Sequence, residues 1–198
     1  MNMLTFRLWL FRVLVIAAGG LLVTSFLLPW WNCWIYEIGL GEASAEIYVT
    51  GLWLDYEALG TYIKYLPGAE MPGWFAPAMW TYLGLGIAAL LFSLWVKDRN
   101  VRLLKINFNL PKLIIGLVGL SYIVVVVVAV IIAAIRTGDF FNMHLIGYTD
   151  VVITPGVEES GVEAGLLSGY WMACAAGPLL VILALLRNKI VGKTKRIS

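Results

Sequence analysis

Residues 113–135 read LIIGLVGLSYIVVVVVAVIIAAI, with Lys112 on one side and Arg136 on the other. The valine run 124–128 would favour a strand in water. A stretch this long without a charge instead matches the roughly 20 apolar residues needed to cross a ~30 Å hydrocarbon core. Inside that core the backbone must satisfy its own hydrogen bonds, so a helix is the expected form. Working outward, three more stretches of this kind appear, at residues 13–31, 74–96 and 166–186. The composition agrees: 61% of the 198 residues are hydrophobic and 13% are charged, about half the charge of an ordinary soluble domain. The expected fold class is all-α membrane, a bundle of four transmembrane helices. The first stretch exceeds the ~7–15 apolar residues of a signal peptide and ends in Pro29-Trp30-Trp31, with no small-residue cleavage site. It reads as a retained helix.

The charges orient the bundle. Arg7 and Arg12 precede the first span; Lys97, Arg99, Arg102, Lys105 and Lys112 lie between the second and third; Arg187, Lys189, Lys193, Lys195 and Arg196 follow the fourth. Of the 14 basic residues only Lys64 and Arg136 fall on the other side. By the positive-inside rule, segments 1–12, 97–112 and 187–198 are expected in the cytoplasm of a multi-pass cell-membrane protein. Segments 32–73 and 136–165 are then outer loops, and they hold every acidic residue except Asp98. Trp30, Trp31, Trp74, Trp80, Tyr170 and Trp171 mark one membrane interface, Trp9 and Trp95 the other.

A connection as long as 32–73 normally carries structure of its own. Residues 33–38 are aromatic and β-branched, Gly39-Leu40-Gly41 can turn the chain, and residues 46–53 alternate apolar and polar as a half-exposed strand does. A small antiparallel sheet is expected here. Residues 54–66 place Leu54, Ala58, Leu59, Tyr62, Ile63 and Leu66 at helical spacing, which predicts a short amphipathic helix. In the second outer loop, 149–154 reads as a strand that ends at Pro155-Gly156 and extends the first loop's sheet.

Leu28-Pro29-Trp30 at the end of the first span, followed by Gly51-Leu52-Trp53, resembles the signature of the claudin and peripheral myelin protein superfamily. The topology resemblance covers nearly the whole chain, the motif only residues 28–53. The pattern departs from the family in one respect: no cysteine follows Trp53 in the first loop, so the family's loop cysteine pair is missing. The resemblance implies a left-handed four-helix bundle holding a small extracellular antiparallel β-sheet. It also implies that Trp30, Gly51, Leu52 and Trp53 scaffold the outer domain, with the two tryptophans between sheet and helix ends. The family's roles are adhesion, paracellular barriers or pores, and accessory functions beside channels.

Gly165, Gly169, Ala173 and Gly177 recur every fourth residue, a small-residue face that lets helices approach closely. Packing within the bundle explains such a stripe more simply than a partner chain does. Pro178 follows it and is expected to bend the helix. The central portions of the spans hold no charge, which argues against proton-coupled transport. Their hydroxyls, among them Thr24, Ser25, Thr81 and Ser121, are expected to bond to their own helices. His144 is the single histidine and stands in no ligand spacing; Glu158, Glu159 and Glu163 have no nucleophile beside them. No catalytic, metal or cofactor residues are therefore assigned. Cys33 and Cys174 are expected at different depths, leaving Cys33 available for an intermolecular bridge.

These features point to a structural, adhesion or complex-assembly protein rather than an enzyme. Its expected partners are the lipid bilayer and either copies of itself or other membrane proteins, with no nucleic acid. Two rival readings remain: a channel or transporter component with an acidic, cation-attracting mouth, and a non-catalytic subunit of a membrane enzyme complex.

Overall fold

The structure, a computed structural model, describes residues 3–37, 41–58, 61–63, 71–96, 100–103, 106–141, 143–151 and 160–191. Four helices dominate it: α1 (Met3–Leu27), α2 (Phe75–Trp95), α3 (Leu110–Phe141) and α4 (Ser168–Ile190). All four are long and apolar enough to cross a membrane. The most apolar, α3, buries only 17% of its membrane-length stretch. Leu117, Leu120, Val124, Val127, Ile131 and Ile135 stand exposed along it, a surface that only lipid can cover at low cost. With 32 residues, α3 is about 48 Å long at 1.5 Å per residue, well beyond the hydrocarbon thickness. It continues past the charges that bound the apolar run because Lys112 and Arg136 can lie along a helix near the headgroups.

The chain divides into two compact units. The first comprises residues 1–23, 82–124 and 173–198. Its buried apolar side chains include Phe11, Val15, Ala18 and Leu22 on α1, and Ala173, Ala176, Leu180, Leu183 and Ala184 on α4. This alternation of three- and four-residue steps keeps a narrow seam facing its neighbours, as in shallow helix crossings. A two-stranded hairpin, β5 (Asn100–Leu103) with β6 (Ile106–Asn109), precedes α3. It was read from sequence only as a charged connection.

The second unit comprises residues 24–81 and 125–172 and contains a six-stranded antiparallel sheet. Its strands are β1 (Trp31–Glu37), β2 (Gly41–Tyr48), β3 (Gly51–Ala58), β4 (Thr61–Ile63), β7 (Gly147–Val151) and β8 (Ser160–Leu166). The order is β4-β3-β2-β1-β8-β7, so both connecting segments contribute to one sheet.

The single strand expected over residues 46–53 is two strands. Tyr48 pairs with Gly51 across the turn at Val49-Thr50, the two-residue link that hairpins favour. The helix expected over 54–66 is overruled by pairing: β3 runs to Ala58 and β4 takes up 61–63. Leu54 stands opposite Ala45 and Ala58 opposite Thr61, so residues placed at helical spacing lie in a strand. In so short a segment, spacing alone does not separate helix from strand. The turn at 39–40 and the Pro155-Gly156 stop lie outside the described residues, as do the helix positions Leu59 and Leu66. The strand predicted at 149–154 appears as β7. Its partner β8 takes Gly165, which the four-residue spacing had put on the fourth helix. Glycine-rich SGVEAGL carries little strand propensity of its own, and pairing on both sides makes it a strand.

Candidate functional site

The second unit is organised around the residues that end α1. Trp30 NH donates to Ile47 O of β2 at 2.8 Å, and Trp30 O accepts from Leu167 NH at 2.9 Å. Its indole Nε1 donates to Ser25 O at 2.7 Å, satisfying one of the carbonyls that a helix C-terminus leaves without an intrahelical partner. One residue thus ties α1 to β2 and to the start of α4. Its ring meets Tyr170 edge-on at 6.2 Å between centroids.

Gly169 completes the junction. Its NH donates to Pro29 O at 3.2 Å. A Cβ on it would lie 2.5 Å from Leu28 O and 2.6 Å from Pro29 O, so only glycine allows the first turn of α4 this close to the end of α1. The contact sets the positive end of one helix dipole against the negative end of another.

The sheet has two different faces. Trp31, Cys33, Val162 and Ala164 are buried together with Met143, and Ile47, Leu145 and Leu166 pack against them. Trp31 Nε1 donates to Leu145 O. Cys33 is fully buried, which removes it from the intermolecular bridging that the sequence left open. The alternate residues Asn32, Trp34, Glu163, Tyr148 and Asp150 point the other way, and Trp34, Tyr148, Glu163 and Asp150 are exposed. Pairing puts Trp34 and Tyr148 on either side of Glu163. Tyr148 lies across Gly161, whose missing side chain leaves room for the ring. On β2, Tyr48 donates its hydroxyl to Glu46 at 2.8 Å. That bond, with burial and the carboxylate's charge adding to it, raises the phenol pKa above 10.0.

Gly51, Leu52 and Trp53 begin β3, opposite Tyr48, Ile47 and Glu46 respectively; their side chains lie outside the described ones. Trp30 and the Gly51-Leu52-Trp53 segment are thus both tied to β2, Trp30 by its bond to Ile47 O and Leu52 by its place opposite Ile47. Ala173 is buried within α4. Gly177 packs against α3: a Cβ on it would come within 2.8 Å of Ile123. Sequence reasoning did not single out Trp34, Tyr148 or Gly161. Their significance depends on β8, whose strand character was hidden.

Three of the spans' hydroxyls donate to their own helices, Thr81 to Pro77 O at 2.8 Å, Ser93 to Leu90 O at 2.6 Å and Ser121 to Val118 O at 2.9 Å, and Ser121 Oγ also lies 3.0 Å from the Tyr82 hydroxyl of α2. Among the described residues no cluster of three or more His, Cys, Asp or Glu side chains could hold a metal. No protein-family model matches the chain, and no curated protein matches its sequence significantly.

Proposed function

We propose that this multi-pass membrane protein works by association through its sheet domain, as a structural or assembly component, and not by chemistry on a substrate. The observation that carries this reading is the exposed face on which Trp34 and Tyr148 flank Glu163. Exposed aromatic side chains on a rigid sheet are the residue type that interface cores favour. On this reading the sheet lies outside the cell and the basic segments lie in the cytoplasm. The claudin-like resemblance at Leu28-Pro29-Trp30 and Gly51-Leu52-Trp53 supports the same view, as does a sheet built from both connecting segments. The missing cysteine pair separates this chain from the family's usual pattern.

The test is a photo-crosslinking amino acid placed at Trp34, irradiated in intact membranes, with Trp34→Ala/Tyr148→Ala examined alongside. A discrete adduct with a second copy or with one stoichiometric protein is expected, and the double variant should lose that assembly while keeping its helix content. A chain that stays monomeric, with no adduct other than lipid, would reject the proposal.

A further inference from the structure

The sheet-bearing unit contains an open-sided cavity of about 80 Å³, with almost wholly apolar walls. Trp30, Val49 and Phe75 form part of the wall, and α3 supplies Ala129, Ala133 and Arg136. Among the described residues of the lining, Arg136 is the one that carries a charge. We propose that this cavity is a binding site for an anionic phospholipid, holding part of an acyl chain against α3 with the phosphate on Arg136.

Three observations select this occupant. First, Ala129, Ala133 and Arg136 follow one another at four- and three-residue spacing and so share one face of α3. The two alanines leave a furrow where larger side chains would fill it. Second, polarity changes in the right direction. The alanines lie toward the middle of α3, while Arg136 lies in its last turns before Phe141. From Ala129 to Arg136 is about 10 Å along the axis. An amphiphile standing in a bilayer has this polarity, with its chain toward the centre and its charge at the boundary. Third, the volume suits a chain segment. It exceeds several times the ~10–15 Å³ that one water needs, and walls this apolar favour hydrocarbon over water. Guanidinium groups bind phosphate through paired N–H donors, which makes arginine the fitting cation.

The experiment is native mass spectrometry of the full chain, released from micelles containing equal amounts of phosphatidylglycerol and phosphatidylcholine with identical acyl chains. Preferential retention of one phosphatidylglycerol per chain is expected. Arg136→Gln should lower that retention about fivefold, the factor typical of one basic residue near anionic lipid, and leave phosphatidylcholine unchanged. Ala133→Phe should remove bound lipid of both kinds by filling the furrow. Arg12→Gln, a charge elsewhere, should change nothing. If Ala133→Phe fails to fold by far-UV circular dichroism, Ala133→Leu replaces it. A phosphatidylglycerol with a photoreactive acyl chain gives a separate readout: its adduct should map to 129–136 in the natural chain and weaken in Arg136→Gln. Equal retention of the two lipids, or retention untouched by Arg136→Gln, overturns the proposal. So does a lipid-free dimer in which a second copy covers the cavity.

Discussion

Gly119 on α3 and Gly177 on α4 meet backbone to backbone: a Cβ built on Gly119 would lie 2.8 Å from Gly177 O and 2.9 Å from Leu180 Cβ. Neither helix can retreat without uncovering Tyr122 and Leu180, both fully buried. In lipid, where no hydrophobic force drives one helix against another, such close packing and the dispersion contacts it permits hold helices together. Gly119→Ala should therefore destabilise the fold by about 1–3 kcal/mol, the usual cost of overpacking. Gly84→Ala is the control, because nothing lies within 4 Å of the position its Cβ would take. Thermal unfolding in detergent should separate the two variants clearly; equal melting temperatures would show that the helices do not cross at Gly119.

Trp30 contributes both an indole N–H and a ring. Trp30→Phe keeps most of the ring but leaves Ser25 O without its donor, and should cost about 1 kcal/mol. Trp30→Ala also removes the contact with Tyr170 and should cost about 3–5 kcal/mol. Unfolding titrations of the two variants should fall in that order. A Phe variant as unstable as the Ala variant would mean that the hydrogen bond, not the ring, dominates.

Arg187 belongs to the helix, not to a solvated basic tail. It is buried, its Nη1 donates to Asn109 Oδ1 at 3.2 Å, and its guanidinium carbon lies 5.7 Å from the centroid of the Phe11 ring. That is within cation–π range. Arg187→Ala and Asn109→Ala should each destabilise, and the double variant should lose less than the sum, with a coupling of about 0.5–3 kcal/mol. Additive losses would place the two side chains apart.

Neither Cys33 nor Cys174 is joined in a disulfide; the first is buried and the second half-buried. A membrane-impermeant maleimide should leave Cys33 unmodified in the folded protein. In a Cys33→Ser/Cys174→Ser background, Thr50→Cys introduces a thiol at the β2–β3 turn. The proposed orientation predicts labelling of that thiol from outside intact cells. Labelling only after the cells are opened would reverse the topology.

Tyr48 gives the sheet a pH signature. Its pKa is raised in the fold, first by the hydrogen bond to Glu46, then by burial and by the carboxylate's charge. The folded state therefore holds this proton more tightly than the unfolded state. The stabilisation is fully present below about pH 10, the ordinary tyrosine value, and is lost as pH rises through the raised pKa. Glu46→Ala removes the first and third causes, so Tyr48 should ionise at lower pH. Difference absorbance at 295 nm against Tyr48→Phe reads this directly; an unchanged titration would mean that the pair does not form.

Residue chemistry alone decided the spanning helices. Long uncharged runs such as 113–135 have one stable form in hydrocarbon, whatever their neighbours, because no other backbone arrangement there satisfies its own hydrogen bonds. The first loop's sheet was also partly legible, from the aromatic and β-branched residues 33–38 and the alternation over 46–53, whereas the stretch after Trp53 showed a helical spacing. Strand partners were a different matter. SGVEAGL becomes β8 only because β1 and β7 offer it backbone hydrogen bonds, and residues 54–58 become part of β3 because β2 and β4 lie beside them. The β1–β8 bonds join residues more than 100 positions apart, and no local pattern encodes such a meeting. The tertiary structure likewise decided which side chains share a cavity with Arg136 and which aromatic groups flank Glu163. Both depend on pairing register, where a slip of one residue would send every side chain to the opposite face.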